Sequence, residues 1–137
     1  MIREITPNDI PWVISLGTER YGNRYDAGGG LEALAQAMRL RSAIAWRTDH
    51  GFLVGNIVTT LWAPKLPTLH VLAFCVEEGH HWDAIELLRG SIRWARERGC
   101  AKWFINSDTE HRVGPLARRV GARLAECYVV DFKECSP

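Results

Sequence analysis

The sequence lacks the features that would commit it to a membrane, a disulfide framework or nucleic acid. No apolar run approaches the ~20 residues needed to cross a bilayer. The opening MIREITPNDI is charged early and has no apolar stretch of the kind a secretory signal requires. Four cysteines (Cys75, Cys100, Cys127, Cys135) show neither CxxC nor zinc-like spacing. They therefore read as reduced thiols, and the expected compartment is the cytoplasm. Neither sign of charge is in excess: 17 Lys+Arg against 16 Asp+Glu leaves +1. That balance implies no bulk attraction to nucleic acid or to a membrane surface. Repeats and low-complexity tracts are absent. The only linker-like stretch, YGNRYDAGGG (residues 21–30), is too short to separate a pair of domains. What remains is 137 residues, 47% hydrophobic, the expectation for one soluble domain over residues 1–137 with a core of its own.

The pattern of apolar residues predicts the elements. Residues 2–5 read as a strand. TPNDIPWVISL then starts a helix, with Thr6 as N-cap, Pro7 at the first helical position and Asp9 three residues after the cap. Ile10, Val13 and Ile14 share one face of it. A second helix over 31–40 sets Leu31, Leu34, Ala35 and Met38 at helical spacing. AIAWRT (43–48) and FLVGNIVTTLW (52–62) read as strands around DHG, a hairpin signal in which Gly51 is free to take positive φ. TLHVLAFCV (68–76) is almost wholly apolar and predicts a strand buried on both faces. A helix over 82–98 turns Ile85, Leu88, Ile92 and Ala95 inward and stops at Gly99. AKWFINS (101–107) then lies parallel to the strand before that helix, as a βαβ crossover requires. A short helix from near Pro115 to Gly121 and a closing strand in RLAECYVVDFKE complete the chain. The order β-α-α-β-β-β-α-β-α-β predicts an α+β domain built on a mixed sheet flanked by helices.

The stretch CVEEGHHWDAIELLRG carries the chemistry. A strand end, a loop and a helix N-terminus make a seat for phosphate. Here, though, the loop holds Glu77, Glu78, His80, His81 and Trp82 where phosphate cradles have glycines. Glu86 stands further into the helix. Arg89 and Arg93, one turn apart, and the two histidines offer donors against those carboxylates. A solvated loop followed by a salt-bridged helix face fits the same residues. Cys75, in an apolar strand, reads as a small buried hydrophobe rather than a nucleophile. His70, His80 and His81 with Glu77 are metal-ligand types, but adjacent loop histidines rarely ligate together. Arg89, Arg93, Arg96 and Arg98 read as a solvated face rather than a nucleic-acid surface. Six tryptophans exceed what so small a core can hold, so some should line a cleft or a partner surface.

Element order, length and local text together resemble the GNAT superfamily of acyl-CoA-dependent N-acetyltransferases. IREITPNDIPWVISL is similar to the family's opening strand and capped helix. VGNIV resembles its third strand, LHVLAFCVEE its central fourth, and ARRVGARLAE its closing Y-x-x-x-G-F segment. The resemblance implies transfer of an acetyl group from acetyl-CoA to a small-molecule or protein amine. It implies that the pantetheine arm runs along Phe74, Cys75 and Val76. It implies that the pyrophosphate sits on the loop and helix start formed by Gly79, His80, His81, Trp82, Asp83 and Ala84. The family's (Gln/Arg)-x-x-Gly-x-(Gly/Ala) loop is degenerate here, with Ala84 and Glu86 at its small-residue positions. Ala117 stands where an acidic tyrosine is common, which leaves Tyr128 as the candidate acid, and Val71 stands where some members carry a basic glutamate. The same text fits a GNAT-fold protein that has lost the chemistry and serves as a binding or assembly module, of the kind found in tailed phages, with a protein partner or a second copy of itself.

Overall fold

The computed structural model describes residues 1–22, 32, 34–61, 63–105 and 113–125. Among the described residues five strands, β1 (Arg3–Glu4), β2 (Ala43–Arg47), β3 (Gly51–Thr60), β4 (Ala63–Val76) and β5 (Lys102–Ile105), form one sheet in that order. The first three pairings are antiparallel and β4–β5 is parallel. The mixed α+β architecture and the parallel βαβ step are those expected from the sequence. Among the described residues the helices are α1 (Ile10–Tyr21), α2 (His81–Glu97), α3 (Val113–Arg119) and helical turns at 32 and 34–37. The closing strand and Tyr128 lie outside the described residues.

Two cores face the two sides of the sheet. On one side α2 and α3 lay Ala84, Leu87, Leu88, Ala95 and Val113 against Ile44, Leu53, Leu69, Val71, Phe74 and Val76. On the other, Val13 and Leu16 of α1 meet Ile5, Leu34, Ala37, Phe52, Val54 and Cys75. The buried stripe of α2 is Ala84, Ile85, Leu87, Leu88, Ser91 and Ala95, while Ile92 is only half-buried. Ser91 is polar at the centre of that stripe because its hydroxyl is satisfied twice, accepting from Trp103 Nε1 at 2.9 Å and donating to Leu88 O at 2.8 Å.

The entry to α1 is built on Asp9. It accepts from the Thr6 amide (2.8 Å) and hydroxyl (3.0 Å), closing a turn of 3-10 helix over Pro7–Asp9 before α1 begins. The same carboxylate holds Arg3 at 3.0 Å and Arg47 at 2.9 Å, which ties the first turn to β1 and β2.

Gly51 is a correction. It opens β3 without positive φ, so the hairpin does not need its conformational freedom. It needs its size: a Cβ there would stand 2.7 Å from Val76 Cγ2 and 3.0 Å from the Cys75 carbonyl oxygen. Gly51→Val should therefore destabilise the chain by about 1–3 kcal/mol through overpacking. Urea denaturation checks this as a lower midpoint at an unchanged slope, whereas an unmoved midpoint contradicts it.

Candidate functional site at the end of β4

A bulge shapes the end of β4. Val54 pairs with Ala73 and Gly55 with Val71, so Leu72 is an extra residue on β4 without a partner on β3. The extra residue reverses the alternation of side chains. Leu69 and Val71 face α2 before it, and Phe74 and Val76 face α2 after it. Ala73 and Cys75 face α1, and so, by alternation from Val71, does His70. The described β5 pairs reach only Val71↔Ile105, while β4 runs on to Val76. Phe74, Cys75 and Val76 are all buried, so a ligand along this strand end could meet only their backbone. Burial also fits Cys75 as an inert hydrophobe rather than a nucleophile.

Beyond Val76 the chain turns through Gly79 (φ 85) into α2, whose N-cap is His80. Asp83 and Ala84 donate their amides to His80 O at 3.1 and 3.4 Å. The start of α2 turns the N–H ends of its first turn toward this loop, as an anion seat requires. The Ala84 side chain is fully buried in the core beneath α2, which leaves its size without influence on the loop's outer surface.

Three of the carboxylates near this seat, Glu77, Asp83 and Glu86, have partners of their own. Glu77 lies 2.7 Å from His50 Nδ1, and its amide donates to His50 O at 2.8 Å. Asp83 accepts from the His50 amide at 3.2 Å. Burial pushes the Asp83 carboxyl up, but bonds from the Thr48 side chain and the His50 amide, with His50 and His80 nearby, bring it below the usual carboxylate range. Glu86 faces the Met1 ammonium at 3.2 Å. Sequence spacing could not show any of this, because His50 arrives from the β2–β3 turn. On the opposite flank Trp82 stands exposed beside His81, with the Arg119 guanidinium of α3 5.5 Å from its ring. Arg119 is thus a cation at the loop that local pattern did not single out, whereas Arg89 and Arg93 point outward from α2.

No family model matches the chain, and no curated protein does. Solved structures do. The aminoglycoside antibiotic 6'-N-acetyltransferase AAC(6')-IG from Acinetobacter haemolyticus superposes at a TM-score of 0.75 with 14% identity, over 96% of this chain and 96% of that one. The aminoglycoside N-acetyltransferase AAC(6')-Iy in complex with CoA gives 0.76 at 13%, over 96% and 92%. A transcriptional regulator from Bacillus halodurans C-125 gives 0.80 at 14%, over 96% and 97%. The chain has the GNAT fold.

Within that fold, Val71 is buried against α2 and has neither the chemistry nor the access of a base. His70 is half-buried on the α1 face, its ring edge-on to Phe104 at 5.0 Å. Ala117 is buried on α3, so a tyrosine there would have to displace packed neighbours. Gly121, with φ 95, ends the short helix as its place in the motif implies. Trp46 and Trp94 meet edge to face and line a cavity of about 660 Å³ beside β2, together with Arg41 and Arg98. Two of the six tryptophans therefore line a cleft, and Trp82 is exposed at the loop.

Proposed function

We propose that the chain binds acetyl-CoA at the end of β4 and transfers its acetyl group to an amine. The observation that carries this reading is the bulge at Leu72 leading through Gly79 into the N-terminus of α2. The pantetheine arm would follow Phe74, Cys75 and Val76 through their backbone. The pyrophosphate would sit on the amides of Gly79, His81 and Trp82, with Arg119 supplying the positive charge that the degenerate loop lacks. His80 and Asp83 have a different role: they brace the loop against the β2–β3 turn. The structural neighbours that are aminoglycoside acetyltransferases, one in complex with CoA, support acetyl transfer to a small-molecule amine.

The acceptor would approach over the α1 face. Its neutral nitrogen attacks the thioester carbonyl, the C–S bond breaks, and the departing thiolate takes a proton from water or from Tyr128. His70 stands on the acceptor's side of β4 and is suited to take the proton the amine loses. Thiol release from acetyl-CoA in the presence of a panel of amines tests the reading. Turnover that depends on the amine is expected. If the chain binds acetyl-CoA but no amine accelerates thiol release, the transfer reading fails. If it does not bind acetyl-CoA at all, the fold serves as a binding or assembly module.

A further inference from the structure

His50, Glu77 and His80 converge although they are remote in sequence. His50 lies on the β2–β3 turn, Glu77 just after β4, and His80 at the N-cap of α2. One donor atom from each lies within 4.8 Å of the other two. His50 Nδ1 and Glu77 Oε2 are 2.7 Å apart, and both side chains are accessible, at 40% and 38% of their surface. The imidazoles of His50 and His80 lie face to face, with centroids 3.6 Å apart and planes 15° from parallel. Two ligands of one tetrahedral zinc ion stand about 3.4 Å apart, given metal–nitrogen distances of ~2.0–2.1 Å. The separations found here, from 2.7 Å to at most 4.8 Å, bracket that value.

We propose that His50, Glu77 and His80 form a binding site for a divalent ion of the zinc class, with a fourth position left to water. The ligand set of two imidazoles and one carboxylate suits a borderline ion rather than calcium or magnesium, which take mainly oxygen. Binding asks the stacked rings to fan apart so that each aims one nitrogen at a shared point, and asks Glu77 to exchange its bond to His50 for one to the metal. Asp83 supports the arrangement from behind. Its carboxylate accepts from the His50 amide at 3.2 Å and fixes the turn that carries the ligand. The positive end of α2 disfavours a cation at this place, and the charges of Glu77 and Asp83 offset it. His81 is not a ligand, because its ring packs toward Trp82. The ion would clamp the β2–β3 turn to the start of α2. The site stands on its own geometry and does not depend on acetyl transfer.

The test is a calorimetric titration of zinc chloride into the full chain near neutral pH, paired with cobalt(II) as a spectroscopic probe. One ion per chain is expected, with a visible cobalt band and no thiolate charge-transfer band. His50→Ala, Glu77→Gln and His80→Ala should each weaken binding by about tenfold or more, while His70→Ala and His81→Ala leave it unchanged. Glu77→Gln preserves shape, so it remains informative if a histidine variant fails to fold. No uptake at millimolar zinc, a thiolate band, or affinity indifferent to Glu77→Gln would each overturn the site.

Discussion

Asp9→Ala should cost the fold about 3 kcal/mol, because it removes one partner of a buried ion pair and leaves the other without its counter-charge. The stranded partner is Arg47. Its side chain is only 11% exposed, and its guanidinium lies 2.9 Å from the carboxylate and 3.6 Å from the Trp12 ring. Arg3, half exposed, contributes less. The Thr6 amide and hydroxyl lose their acceptor as well. For a chain of this size the melting temperature should fall by on the order of 10 °C. A pH signature accompanies the loss. Burial raises the Asp9 pKa, but the Thr6 amide, Arg3, the Thr6 hydroxyl and Arg47 together hold it well below the usual carboxylate range. A carboxyl depressed in the folded state contributes stability above its unfolded pKa of ~3.9, and that stability is lost as pH falls below it. Wild type should therefore lose stability on acidification more steeply than Asp9→Ala. Parallel pH profiles for the two proteins would contradict the assignment.

The second large effect falls on catalysis. His70→Gln should lower kcat by about 10²–10⁴-fold while leaving acetyl-CoA affinity nearly unchanged, the signature of a lost general base. Glutamine keeps size and polarity but cannot accept the amine's proton. The ring rests against Phe104 at 5.0 Å and half-buried, so the substitution leaves no large cavity. Affinity that falls in step with rate would instead place His70 on the binding surface. An unchanged kcat would remove it from the mechanism.

The fold was largely legible in the sequence because its periodicities are strong. The apolar run at 68–76 and the amphipathic helix after it fixed the parallel step, and the Thr6–Asp9 spacing marked the entry to α1. Boundaries failed where prolines intervene. The strand expected over 68–76 starts earlier, at Ala63, and takes in Pro64 and Pro67. The described β5 pairs begin only at Thr68, so the prolines stand where no β5 partner asks for their missing N–H groups. The site was less legible because its decisive contacts are long-range. Glu77 before α2, and Asp83 and Glu86 within it, look alike as carboxylates near the loop, and only the chain's return paths give them His50 and Met1 as partners. The bulge at Leu72 is equally silent in sequence, and it is what puts His70 and Phe74 on opposite faces despite their even spacing.

Calorimetric titration of acetyl-CoA into the chain, repeated with Trp82→Ala, Arg119→Ala and the double variant, probes the proposed acyl-CoA site at the end of β4. One saturable site is expected in wild type, with affinity reduced in each variant and reduced least by a further increase in salt once Arg119 is gone. Absence of any heat of binding at millimolar acetyl-CoA, or binding indifferent to all three variants, would contradict an acyl-CoA site at the end of β4.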